Sequence, residues 1–306
     1  MADPPTVFIT GATSGIGLEL TRYYASLGFR LALLGRRPLS ECQDPLFTSR
    51  TYCQVDLRAA DRAEQVLAWL QRHDIRALTL LVNNAAMGWY GAAAEQSETS
   101  IRDMMAVNVQ APLALSHALL PHLRAGEGKL VFISSVSVAM PTADYAVYTA
   151  SKAAIDGLAR NLTIELEGQV AVQVIHPGPT RTPMHLKSGV PQAKSDAQAM
   201  PSAAQTARSI AAIISQDPAL GDADATVGMR YEFMRFAGKH FAAPLHWLLR
   251  YRRRNPDARA LRWLESKLTK RPMSGKTSAE KTPAEDRGSA PTESASTESA
   301  PSESSS

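Results

Sequence analysis

The apolar run Val7-Phe8-Ile9 feeds directly into Thr10-Gly11-Ala12-Thr13-Ser14-Gly15-Ile16-Gly17, and a helix-compatible stretch, Leu18 to Tyr24, follows at once. Strand, glycine turn and helix in that order restrict the fold more than any other feature of the chain. The glycines permit a tight turn with positive φ, let backbone approach a pyrophosphate, and leave the first amides of the helix aimed at negative charge. A glycine-rich turn that binds nothing fits the same local pattern, and the spacing differs from the usual G-x-G-x-x-G, so the rest of the chain must decide. Short β-rich runs at Leu31 to Leu34, Tyr52 to Val55, Leu78 to Val82, Leu130 to Ile133 and Val170 to Ile175 alternate with longer helical stretches. This alternation predicts an α/β fold, a doubly wound parallel sheet with helices on both faces and ligands beyond the carboxyl ends of the strands.

A second segment carries chemistry. In Tyr148-Thr149-Ala150-Ser151-Lys152 a helix places the phenol and the ammonium one turn apart on one face. A neighbouring cation favours the phenolate, so the Tyr148 pKa is expected to fall from about 10 toward the range useful for acid–base work. An exposed helical Tyr and Lys with no shared task would show the same spacing.

Taken together, the two segments resemble the short-chain dehydrogenase/reductase family, in the subclass whose glycine motif is T-G-x-x-x-G-x-G; the resemblance covers about residues 5 to 230. Further matches fall in chain order: Asp56-Leu57, Asn83-Asn84-Ala85, Asn108 in Val107-Asn108-Val109, Ser134-Ser135, and Pro177-Gly178. One departure is visible. The family usually has glycine after Asn-Asn-Ala, whereas Ala86 stands here, and alanine would be strained if that turn needed positive φ.

The resemblance implies a nicotinamide cofactor held by Gly11, Thr13, Ser14, Gly15, Ile16, Gly17, Asp56, Leu57, Asn84, Ala85, Pro177, Gly178 and Thr182, with Tyr148 and Lys152 contributing. Asp56 would accept from the adenine, although an Asp at a strand end is also a common helix cap. At the end of the second predicted strand, Leu33-Leu34-Gly35-Arg36-Arg37 lacks the acid that would repel a 2′-phosphate. Arg36, with Arg37 beside it, could make charge-assisted contacts to that phosphate, so NADP (NADPH) is favoured over NAD. The alternatives are that both arginines solvate a loop, and that Ser14 stands where NADP-dependent relatives often carry a basic residue.

By the same resemblance Tyr148 is the general acid/base toward a carbonyl or alcohol, and Lys152 lowers its pKa and holds the nicotinamide ribose. Ser135 donates to the substrate oxygen, with Ser134 the competing assignment. Asn108, through side chain or backbone, orders a water beside the lysine; an Asn that bonds only its own backbone is the plainer reading. The substrate walls are expected from loops at Met87 to Ala94, Val138 to Tyr145 and Pro183 to Met200, the last resembling a mobile lid or a plain surface insertion. Met87, Trp89, Met140 and Met184 could line an apolar pocket, though core packing uses the same residue types. His176 and His185 fall near the site and receive no role. A dehydratase or epimerase using the same pair, and an idle nucleotide sensor or membrane-associated interaction protein on the same fold, are the rival functions.

The sequence divides into a dinucleotide-binding catalytic domain (1–230), a basic, partly apolar helical arm (231–271) and a Ser/Glu/Pro-rich tail (272–306) expected to be disordered. Net charge is +9 over residues 229–271, −3 over 272–306 and −2 over the first 228, so basicity is concentrated in the arm. The arm could contact a membrane peripherally through 231–254; packing over the substrate pocket or a second subunit, in a homo-oligomer, is the preferred reading. Nucleic-acid binding is not expected. Cys42 and Cys53 lack metal-type spacing, and no apolar run reaches the roughly 18 residues of a spanning helix, so a cytoplasmic location is expected.

Overall fold

The computed structural model describes residues 4–140, 142–191, 200–216 and 224–254. Its centre is a seven-stranded parallel sheet: β1 (Thr6–Thr10), β2 (Arg30–Gly35), β3 (Tyr52–Gln54), β4 (Leu80–Asn83), β5 (Lys129–Ile133), β6 (Ala171–His176) and β7 (Asp224–Thr226). The spatial order β3-β2-β1-β4-β5-β6-β7 reverses direction between β1 and β4, which opens a crevice beyond their carboxyl ends. Six strands lie where hydrophobic runs predict them. β7 escapes that reading because Asp224-Ala225-Thr226 has no apolar run; it is held by pairing with β6, from Val174 opposite Asp224 to His176 opposite Thr226.

Helices cover both faces: α1 (Gly15–Ser26), α2 (Arg62–Arg72), α3 (Glu98–Met105), α4 (Ala111–Ala125), α5 (Ala146–Glu165), α6 (Pro183–Lys187) and α7 (Ala203–Ser215). Local chemistry starts several of them. Ser97 caps α3 by accepting from the Ser100 amide, and Ser202 with Gln205 forms a reciprocal capping box at α7. Alternation along β1 then divides the core in two. Val7 and Ile9 pack with Leu20 of α1 and Ile210 of α7, whereas Phe8 packs on the other face with Leu81, Leu115 and Phe132. Each fully buried aromatic or Leu side chain contributes roughly 1.5–3 kcal/mol, which is why the central strands are apolar on both faces.

Two further helices, α8 (Met229–His240) and α9 (Ala242–Arg254), come from the first part of the basic arm, and residues up to Arg254 form one compact unit. At Gly238 a Cβ would lie 1.8 Å from the Ala139 carbonyl oxygen, so only hydrogen fits between α8 and the 3₁₀ turn Val136–Val138 with its end. The rest of the arm, the tail 272–306 and the loop segment 192–199 lie outside the described residues.

A buried charge network fixes α8 to the sheet. His176, without solvent exposure, points Nε2 at Asp156 Oδ2 (2.8 Å) and Nδ1 at Asp224 Oδ1 (3.0 Å). Arg235 of α8 grips the same Asp224 through Nη1 (2.6 Å) and Nη2 (2.7 Å). Both ring nitrogens face carboxylates, an arrangement that favours the doubly protonated imidazolium. Burial disfavours that charge, but hydrogen bonds to Asp156 and Asp224 outweigh it and raise the His176 pKa above its ordinary value. Burial likewise works against ionised Asp224, and His176 with Arg235 overrides it, holding this carboxyl far below the usual range.

A raised histidine pKa contributes stability that is complete below the unfolded value near about 6.5 and is lost as pH rises through the folded value. The melting temperature should therefore fall as the solution is made alkaline. Asp224→Asn should cost roughly 3–5 kcal/mol, by leaving Arg235 and His176 charged and under-paired, and should flatten that dependence. Thermal denaturation across pH checks both; a variant as stable as its parent with an unchanged pH slope would contradict the assignment.

Candidate active site

The crevice at the strand-order reversal is built by close backbone approach. Gly11 has φ 66° and Gly15 φ 57°, a region that disfavours any side chain. A Cβ at Gly11 would meet Ala85 Cα at 2.9 Å, and one at Gly17 would meet the Gly11 carbonyl oxygen at 2.3 Å. Polar side chains hold the turn: Thr10 Oγ1 accepts from the amides of Asn84 and Ala85 (both 3.0 Å), and Asn84 Nδ2 donates to the Thr10 carbonyl (2.9 Å). Ser14 caps α1 with extended backbone and no side-chain cap bond. The first amides of α1 are thus left for an anion beside Gly11, Thr13, Ser14, Gly15 and Ile16, all of which line one cavity of about 720 Å³. Cradle, helix end and cavity size fit a dinucleotide.

The other expected cofactor residues divide. Leu57, Asn84, Ala85, Pro177, Gly178 and Thr182 reach the cavity, as do Arg36 and Asp56. Arg37 does not line it; its carbonyl accepts from the Tyr52 hydroxyl (2.7 Å). Asp56 is not a free acceptor: Arg58 Nη2 meets Oδ2 at 2.6 Å and continues to Asp103 through Nη1 (2.9 Å). Hydrogen bonds from Arg58 hold the Asp56 carboxyl below its ordinary range, with Arg36 adding to the effect. At Gly35 a Cβ would lie 2.7 Å from the Tyr52 hydroxyl and 2.9 Å from Thr13 Cγ2, so an acid could not enter without displacing both. Ala86 is unstrained, since the non-glycine residues with positive φ among those described are Asp74, Glu127 and Asp144.

Helix α5 carries Tyr148 and Lys152 on its sheet-facing side, where both line the cavity with Ser135. Lys152 is buried and donates from Nζ to the Ile133 carbonyl (2.8 Å); Nζ stands 5.9 Å from the Tyr148 ring centroid. The expected fall in the phenol pKa is reversed. Burial pushes Tyr148 up to about 12, against a hydrogen bond from Ser135 that acts in the lowering direction. Burial also pulls Lys152 down to about 8, opposed in part by Asp156. Desolvation, absent from the reasoning on spacing alone, exceeds the pairwise attraction. Both serines line the cavity, but the Ser134 hydroxyl is committed to Asp156 Oδ1, whereas Ser135 Oγ accepts from the Ser137 amide (3.2 Å) and lies beside Tyr148.

Asn108 lies in a π-turn, Ala106–Gln110, between α3 and α4. Its side chain is committed: Oδ1 accepts from the Met87 amide (2.7 Å), and Nδ2 donates to the Met87 carbonyl (2.9 Å) and Ser151 Oγ (2.9 Å). Both N–H donors of the amide are thus used, which leaves the backbone of the π-turn and the second lone pair of Oδ1 as the groups that could meet a water.

Three wall segments meet over the cavity. The Tyr90 amide donates to Ser188 (2.8 Å) and the Gly91 amide to Asp144 (2.9 Å). Met87, Met140 and Met184 line it as expected, whereas Trp89 does not and instead covers Gly91. Tyr90 and Tyr145 fall within the expected wall segments, with Tyr145 5.3 Å from Tyr90 and 6.0 Å from Tyr148 between centroids; Met234, from α8, lies outside all three segments. Among the described residues no group of three or more His, Cys, Asp or Glu could hold a metal ion, and no helix is long and apolar enough to cross a membrane.

Comparison with known proteins gives a consistent picture. The profile of the short chain dehydrogenase family matches residues 5–192. A sulfoacetaldehyde reductase of Chromohalobacter salexigens is 35% identical over 215 residues, covering 67% of this chain and 84% of that one. Dehydrogenase/reductase SDR family member 7B of Bos taurus is 33% identical over 199 residues, so the chain spans 60% of that relative's length and the match 60% of this chain. Among solved structures, a Burkholderia cenocepacia short chain dehydrogenase in complex with NADP superposes with TM-score 0.68 at 23% identity, covering 81% of this chain and 98% of that one. A 4-hydroxyisoleucine dehydrogenase complexed with NADH gives TM-score 0.63 at 22% identity, covering 72% and 95%. At these identities the structures speak to the fold.

Asn108→Ala removes three hydrogen bonds made by a buried side chain and should cost roughly 2–4 kcal/mol, measured by denaturant unfolding. Ala86→Gly should be neutral or destabilising by up to about 1 kcal/mol; a gain would reveal strain at that turn.

Proposed function

The chain belongs to the short-chain dehydrogenase family, and from that premise we propose that it reduces a carbonyl compound with NADPH, with Tyr148 as the proton donor. The observation that carries this reading is the convergence of Tyr148, Ser135 and Lys152 on the cavity that the glycine turn opens. A nicotinamide bound in this cavity would supply the hydride. A phenol held near 12 is neutral at physiological pH, the form that gives a proton to a carbonyl oxygen. Ser135, whose hydroxyl lies against Tyr148, would turn its single O–H to the same oxygen and stabilise charge developing there. Lys152 keeps its ammonium at the cavity floor through the Ile133 carbonyl, where it would hold ribose hydroxyls and replenish the proton of Tyr148. The backbone at the Asn108 π-turn, with the side chain anchored to Met87 and Ser151, would support a water beside that lysine.

For the cofactor, Gly11, Gly15 and Ile16 would hold the pyrophosphate, Asn84, Ala85, Pro177, Gly178 and Thr182 the nicotinamide side, and Leu57 the adenine, with Asp56 reaching it only by giving up part of its pairing with Arg58. NADP preference is supported by exposed Arg36 at the cavity rim and by a Gly35 position with no room for a repelling acid. The substrate is an apolar ketone or aldehyde, given walls of Met87, Met140, Met184 and Met234.

Tyr148→Phe should retain NADPH binding by fluorescence titration while losing about 10²–10⁴-fold in kcat. Arg36→Ala should weaken NADPH by about tenfold with little change for NADH; equal losses would remove Arg36 from the 2′-phosphate. NADPH binding without turnover across a broad carbonyl panel would favour a nucleotide sensor.

A further inference from the structure

Helix α8 has two faces with unlike surroundings. Tyr231 lies against Gly178, Met234 lines the active-site cavity, Arg235 holds Asp224, and Gly238 abuts the Ala139 carbonyl. The opposite stripe, Met229, Phe233, Phe236 and His240, recurs at i, i+4, i+7 and i+11 and faces outward. Met229 is 85% exposed, Phe233 71% and Phe236 54%. Phe241 extends the stripe toward α9, where Trp247 stacks on Tyr251 at 5.6 Å beside Arg250 and Arg254 around a shallow recess.

This helix cannot roll to hide its aromatics. The double contact of Arg235 with Asp224 and the side-chain-free packing at Gly238 fix its rotation. An aromatic stripe so exposed marks a contact surface. Charge selects the occupant: residues 229–254 carry seven Lys or Arg and one acid, Glu232, and of the seven only Arg235 and Lys239 are paired with Asp224 among the described side chains. A second copy seated by two-fold symmetry would oppose cations to cations, whereas anionic lipid would neutralise them.

We propose that the outer face of α8 and α9 docks on an anionic phospholipid bilayer surface. Phe233, Phe236 and Phe241 enter the acyl boundary, Trp247 and Tyr251 lie at headgroup depth, and Arg230, Arg250 and Arg254 meet lipid phosphates. Met234, on the inner face of the same helix, then sets a wall of the active-site cavity next to the membrane.

The test is sedimentation of the full chain with vesicles of phosphatidylcholine alone or mixed equally with phosphatidylglycerol. The protein should partition at least about tenfold more onto the mixed vesicles at low salt, and high salt should release it. Phe233→Ser with Phe236→Ser, and separately Arg250→Gln with Arg254→Gln, should each lower partition by about tenfold or more while leaving the thermal melt unchanged. As a measurement free of any folding defect in those variants, parent protein should show a blue-shifted fluorescence component on the mixed vesicles that is missing in Trp247→Phe. Equal recovery in the supernatant with both vesicle types would overturn the proposal. So would binding indifferent to the phenylalanines, or a parent dimer that the phenylalanine pair converts to monomer, since a second copy would then cover the stripe.

Discussion

Contact between backbones where only hydrogen fits governs the rest of this molecule. Gly11 rests on Ala85 and Gly17 on the Gly11 carbonyl, so the carboxyl ends of β1 and β4 sit closer than any side chain would permit. Because these two strands flank the reversal of sheet order, their closeness sets the floor of the crevice and the direction in which α1 leaves it. Thr10 and Asn84 fasten the arrangement with bonds across more than seventy residues of sequence, converting a flexible glycine turn into a fixed cradle. Side chains of β5 and α5 then arrive at a cavity whose shape is already determined.

Legibility in the sequence followed the physical origin of each feature. Two-sided burial makes central strands apolar throughout, and six of them could be placed from that signal; β7, whose role is to carry Asp224, offers no such signal. The convergence of Tyr148, Lys152, Ser135, Gly11 and Gly15 on one cavity could be anticipated because each motif is a residue type at a spacing. What was not readable depended on three-dimensional surroundings. Arg58 occupies Asp56, Tyr90 and Tyr145 meet across loops distant in sequence, and His176 finds two carboxylates from different elements.

The electrostatics of the site show the same lesson quantitatively. Adjacent charge alone would lower the phenol and leave the lysine high, yet burial moves Tyr148 up to about 12 and Lys152 down to about 8, making the lysine ammonium the stronger acid of the two. A phenolate at this position would therefore draw a proton from the neighbouring ammonium, an ordering set by desolvation and opposite to that of a bare ion pair. Lys152 can tolerate such burial because the Ile133 carbonyl accepts from its ammonium and Asp156 lies behind it.

Asp156 also joins this chemistry to the C-terminal helices. Its carboxylate accepts from Ser134, neighbour of Ser135, and meets His176, which meets Asp224, which is gripped by Arg235. Four elements, α5, β6, β7 and α8, are therefore tied through one chain of buried charges, and a rotation of α8 would have to break its outermost pair. The cavity wall at Met234 inherits its position from that tie. An arm whose sequence reads as an appendage is in this sense part of the site, held there by electrostatics that a count of its positive charges does not disclose.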